Sequence, residues 1–228
     1  MIQKLSIEQY FDTYQQNFNR FKEYFPVTFR AANEINELFW QLYDSYILPQ
    51  PENSWQYVAH EMVFGCLTGW INSFINSASG LDETAQTPGR RAIEFVCYIA
   101  KIRGNDNRAD LWIRQRESEE TRKQFVQEFS VPGCYFSDNY SRLEKLLFLY
   151  ESFSIFGTHA NISMIALKKK ETGTSFEDIV FDEYRYIPKN VDNIIYLGYL
   201  LIQSLLYDLS ELNSMRKCND LIEDFLRC

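Results

Sequence analysis

The stretch TPGRRAIEFVCYIAKIRG, residues 87–104, decides the fold. Its apolar run, Ala92 to Ala100, carries β-branched residues and reads as either a buried strand or a helix. Its borders favour the helix. Thr87 followed by Pro88 matches an N-cap with proline at the first helical position. Gly104 suits the left-handed residue that ends a helix. With this segment helical, nothing in the chain demands a sheet.

The neighbouring segments follow the same period. SIEQYFDTYQQNFNRF opens with Ser6 and has Gln9 three residues on, a capping box. Ile7, Tyr10, Phe11, Tyr14, Phe18 and Phe21 then recur at helical spacing. After Pro26, a stripe of Ala31, Ile35, Leu38, Leu42 and Tyr46 marks a second helix, stopped by the prolines of LPQP. Residues 54–76 form a third, apolar on most sides and therefore largely buried. SASGLDETAQTP reads as a loop into the fourth helix at Thr87.

A fifth helix starts near Asp106, apolar at Ala109, Trp112 and Ile113 before it turns polar and projects toward solvent. Ser141 and Glu144 form another capping box, opening a sixth helix of about 30 residues through Lys170. Residues 171–187 are an irregular excursion, and a last helical region follows Pro188. The expectation is a single all-α domain over residues 1–228, a bundle of about six to eight helices.

Charge and cysteines narrow the function. A net charge of −8 opposes nonspecific nucleic-acid binding, which needs clustered Lys and Arg. Arg114, Arg116, Arg122 and Lys123 are interleaved with Glu117, Glu119 and Glu120, the pattern of a solvated face. No run reaches the roughly 20 apolar residues of a membrane span. Five cysteines, an odd number without a C-x-x-C pair, imply reduced thiols and a cytoplasmic setting.

Familiar catalytic patterns are missing. In HEMVF, residues 60–64, the fifth position is Phe64 where a zinc protease helix needs a second histidine. No P-loop, dinucleotide-binding glycine pattern or G-x-S-x-G turn occurs. No metal and no cofactor is expected.

What remains is a polar constellation inside apolar helices. It comprises His60 and Glu61 on the third helix and Glu94 on the fourth, with Arg90 and Arg91 one turn before. On the sixth it adds His159, with Ser154 and Ser163 nearby. A carboxylate removed from water needs a partner, and Glu94 can find it in Arg90 or on another helix. His159, Glu94 and Arg91 are the candidate catalytic groups. Brought together, a histidine and a carboxylate beside an arginine pair suit acid–base chemistry on a phosphate-bearing substrate. The competing expectation is a hydrogen-bonded network that only fixes helix order, with His159 an interior residue.

Arg91 and Glu94, Asp106 with Trp112, and Ser154 with His159 resemble a pattern in bacterial helical proteins similar to HEPN-like domains. Such domains occur in defence, toxin–antitoxin and stress systems. The chain departs from the ribonuclease members, which carry arginine four to six residues before histidine; position 154 is serine. The resemblance therefore implies a bundle, homodimerisation and a binding role for a protein or small-molecule partner, with a hydrolase or nuclease as the alternative. Surplus apolar stripes on the first, sixth and last helices are surfaces such a partner would bury.

Overall fold

A computed structural model describes residues 6–46, 51–130, 143–157 and 191–209. Eight α-helices and no strand occur among them: α1 Ile7–Tyr24, α2 Pro26–Tyr46, α3 Ser54–Ala78, α4 Asp82–Ile102, α5 Asp106–Ile113, α6 Glu119–Phe129, α7 Glu144–Gly157 and α8 Val191–Asp208. None is long and apolar enough to cross a membrane. The all-α class is as expected.

Local chemistry sets most boundaries. Ser6 and Gln9 close the capping box on α1, Ser6 Oγ accepting from the Gln9 amide at 3.2 Å and Gln9 Oε1 from the Ser6 amide at 2.8 Å. Pro26 occupies the first position of α2, where its missing N–H costs nothing. Asn53 caps α3 through the Gln56 amide, and Asp106 at the start of α5 accepts the Trp55 amide at 2.9 Å. Gly104 ends α4 with φ +67, as its position in the sequence requires.

α3 and α4 form the central antiparallel pair, with α7 against α4 and α8 laid across α2, α3 and α4. Trp70 of α3 sits at the centre, fully buried, stacked on Phe74 at 5.9 Å and tilted against Phe39 of α2 at the same distance. Its Nε1 donates to the Ile194 carbonyl of α8 at 2.9 Å. Gly198 makes that approach possible: a Cβ there would lie 2.5 Å from Trp70 Nε1.

Two expectations are corrected. The stretch from Ser77 into Thr87 is no loop, and Thr87 is not an N-cap: α4 begins at Asp82 and Pro88 lies inside it. α3 ends in a Schellman motif at Gly80, φ 88, with the Leu81 amide donating to the Asn76 carbonyl at 2.8 Å and the Gly80 amide to Ser77 at 3.0 Å. The returning turn is then stitched to α3, Ser77 Oγ donating to Asp82 Oδ1 and Ser73 Oγ to the Ala85 carbonyl at 2.7 Å. Pro88 removes only the bond to the Thr84 carbonyl, on an exposed residue where solvent can take it.

The fifth helix is also two. α5 stops at Ile113, where Gln115 Nε2 donates to the Trp112 carbonyl at 2.8 Å, and α6 restarts behind an extended Ser118 whose Oγ caps the Thr121 amide. A serine followed by two glutamates is a helix start, since serine competes with the backbone inside a helix and acids favour the first turn. The arginine-rich face is solvated as expected, with exposed pairs Arg114–Glu117 and Lys123–Glu119. A network of Lys101, Arg108 and Glu128 ties α4, α5 and α6 together.

The apolar surplus is uneven. α8 is buried along nearly all its length, so its stripe is core and not a free surface. On α1 the outer turns are open, with Ile7 and Phe11 exposed while Phe21 is buried. The Ser141 cap, the helix beyond Gly157 to Lys170 and the excursion at 171–187 lie outside the described residues.

Candidate functional site

Arg90 and Glu94 are four residues apart on α4, and both turn toward α7. Arg90 Nε donates to Glu94 Oε1 at 3.2 Å, and another of its guanidinium nitrogens donates to the Tyr150 hydroxyl of α7 at 2.8 Å. Tyr150 donates in turn to Glu94 Oε1 at 3.4 Å, and the guanidinium lies 4.8 Å from the Tyr150 ring centroid. The Glu94 carboxylate therefore has both anticipated partners, one local and one from another helix. Tyr150, which sequence reading missed, completes the group; a lone tyrosine in an aromatic-rich helix carries no distinguishing signal.

Burial, and then the Glu94 charge, push the Tyr150 hydroxyl above its ordinary range. It stays protonated and acts as a donor. The three side chains satisfy one another, and the ion pair, about a quarter exposed, contributes at most about 1 kcal/mol. The bonds from Arg90 and Glu94 to the Tyr150 hydroxyl tie α7 to α4.

The other candidates do not join them. Ser154 Oγ donates to the Tyr150 carbonyl at 2.7 Å, within its own helix. Glu61 is exposed. His60 is half-buried and not a core residue; it lies one turn from Phe64, which packs on Tyr43 of α2, whereas α3 meets α4 through Gly65, Gly69 and Ser73. His60 and Glu94 are thus on different sides of the bundle. His159 and Ser163 lie outside the described residues. Among the described residues, no group of three or more His, Cys, Asp or Glu is arranged to hold a metal ion.

Burial lowers the His60 pKa from 6.5, with Glu61 partly opposing. The unfolded chain therefore binds this proton more readily than the folded one. The His60 contribution to stability is fully present above about pH 6.5 and is lost as the pH falls through the lower folded value. Proton NMR should show this imidazole titrating below 6.5, and His60→Gln should flatten the acid limb of stability there. An unshifted titration would contradict the burial.

Arg91, one residue on, points elsewhere. Its guanidinium lies over the Phe95 ring, 5.5 Å from the centroid, and no carboxylate among the described residues pairs with it. Arg91 and Phe95 line a groove of about 310 Å³ between α3 and α4, together with Gly65, Thr68, Gly69, Asn72, Thr87 and Pro88. The two glycines, four apart, let the helices close. A Cβ at Gly65 would stand 2.6 Å from the Phe95 ring, and one at Gly69 would stand 2.9 Å from the Pro88 carbonyl. That glycine pair in GCLTG was the available signal, and it went unread.

Comparison with protein-family models, with curated proteins and with solved structures finds no match to this chain.

Proposed function

We propose that this protein is a non-catalytic helical binding module whose ligand surface is the α3–α4 groove. One observation carries the reading: the two adjacent arginines have opposite fates. Arg90 is consumed by Glu94 and Tyr150, while Arg91 faces the groove with no carboxylate partner among the described residues. A site poised for acid–base work needs a titratable group free to exchange its proton with substrate. Glu94 is held by two donors, and Tyr150 is kept protonated. A volume of about 310 Å³ falls at the small end of ligand pockets and suits a small molecule better than a peptide.

The test is a thermal-shift screen of small anions and neutral compounds on the full chain, run beside hydrolysis assays on RNA and bis(p-nitrophenyl) phosphate. Expected are ligand-dependent rises in Tm without turnover. Turnover abolished in His159→Ala with folding intact would replace this reading with the hydrolase or nuclease. Light scattering on the same samples tests the homodimer, a mass near twice 27.1 kDa supporting it.

A further inference from the structure

We infer that the groove between α3 and α4 binds a small aromatic anion, its charged end on Arg91 and its ring against Phe95; this rests on the binding-module reading above.

The chemistry follows from what the groove presents. Among the described residues, Arg91 is the one charged side chain in its lining. An arginine fork matches the geometry of a carboxylate or phosphate and binds it with two parallel hydrogen bonds. Asn72, exposed on the facing helix, adds an amide donor at the rim. Thr68 adds none, since its hydroxyl proton is directed to the backbone carbonyls of Phe64 and Gly65 at 3.0 and 3.1 Å; its oxygen can only accept.

The aromatic side of the groove sets the rest of the ligand. Gly65 closes directly on the half-buried Phe95 ring and Gly69 on the Pro88 carbonyl, so no α3 side chain stands between that ring and the groove beside the cation. Arg91 already lies over that ring, 5.5 Å from its centroid, so an anion bound to the guanidinium stands beside the ring. A small inorganic anion would engage the arginine and leave the Phe95 ring uncovered. A flat aromatic body with one anionic substituent uses both. The protein's overall negative charge adds no long-range attraction, so the local geometry alone must supply affinity.

The test uses the isotope-labelled full chain, observing arginine Nε–Hε and backbone signals by NMR during titration with phenyl phosphate, benzoate, inorganic phosphate and benzyl alcohol. Saturable shifts at Arg91 and at backbone amides around Gly65 and Gly69 are expected with the aromatic anions. Inorganic phosphate and benzyl alcohol should bind at least about tenfold more weakly. Arg91→Gln, on an exposed residue, should leave Tm unchanged and weaken phenyl phosphate at least about tenfold. Gly65→Ala forces the Phe95 ring to move and should weaken it too. Equal binding by the Arg91→Gln variant would overturn the assignment, as would equal binding of benzyl alcohol. If another compound from the thermal screen binds while these signals stay still, the groove assignment fails and the binding-module reading survives. If nothing binds by either method, both fail.

Discussion

Trp70→Ala is expected to cost about 3–5 kcal/mol, the range for removing a large aromatic from a core. For a chain of this size that corresponds to a fall in Tm of roughly 6–20 °C. The side chain is 1% exposed and lies where α2, α3 and α8 meet. Its loss removes the stack on Phe74, the contact with Phe39 and the hydrogen bond to the Ile194 carbonyl. Trp70→Phe separates these contributions. It keeps an aromatic in the layer but loses the hydrogen bond, a net cost of about 1 kcal/mol, together with the buried volume of the indole's second ring, for a total of about 1–3 kcal/mol. That carbonyl is also positioned to accept the amide four residues on in its own helix, so it is not left bare. Thermal unfolding followed by circular dichroism checks both. A loss under about 1 kcal/mol for the alanine variant would mean that α8 does not pack on α3 as described.

Gly198→Ala should destabilise the protein by about 1–3 kcal/mol, against the usual preference. Inside an exposed helix the same change would help by about 1 kcal/mol. Here the new methyl would meet Trp70 Nε1 at 2.5 Å, Trp70 Cε2 at 2.8 Å and Ile35 Cγ2 at 2.9 Å. Those are a ring and a branched side chain in a fully buried layer, with no loose end to swing aside. Urea denaturation measures the loss. A double-mutant cycle identifies its source: in the Trp70→Ala background the penalty should largely vanish, because the methyl then enters space the indole has left. A stabilised single variant, or a cycle with no coupling, would refute the close contact.

Both sets of variants act where α8 packs on Trp70, whose hydrogen bond to the Ile194 carbonyl joins residues 124 positions apart in the chain. Periodicity recovered the first three helices and indicated that α3 is buried on most sides, but it misplaced the start of α4, merged α5 with α6, and does not say which helix lies against which. The same limit explains the polar group. A carboxylate in the apolar run around Glu94 required a partner, and Arg90 was visible at helical spacing; Tyr150 was not, because it arrives from a separate helix. His60 shows the opposite failure. A histidine on an apolar helix looks like a core residue, yet its side of α3 faces α2 and is only partly covered.

Boundaries divide along the same line. Ser6, Pro26 and Gly104 mark helix ends through bonds made within a few residues, so sequence alone determined them. Thr87–Pro88 carries an equally good local signal and is overruled. Ser73 and Ser77 hold the preceding residues against α3, and the proline's missing donor falls where solvent can serve the orphaned carbonyl. The sequence by itself determined the helical class and most of the caps, because those depend on interactions inside one turn. Tertiary structure decided which arginine is spent and which faces the groove. Adjacent residues on a helix diverge by about 100°, and only the packed neighbours define what each direction meets.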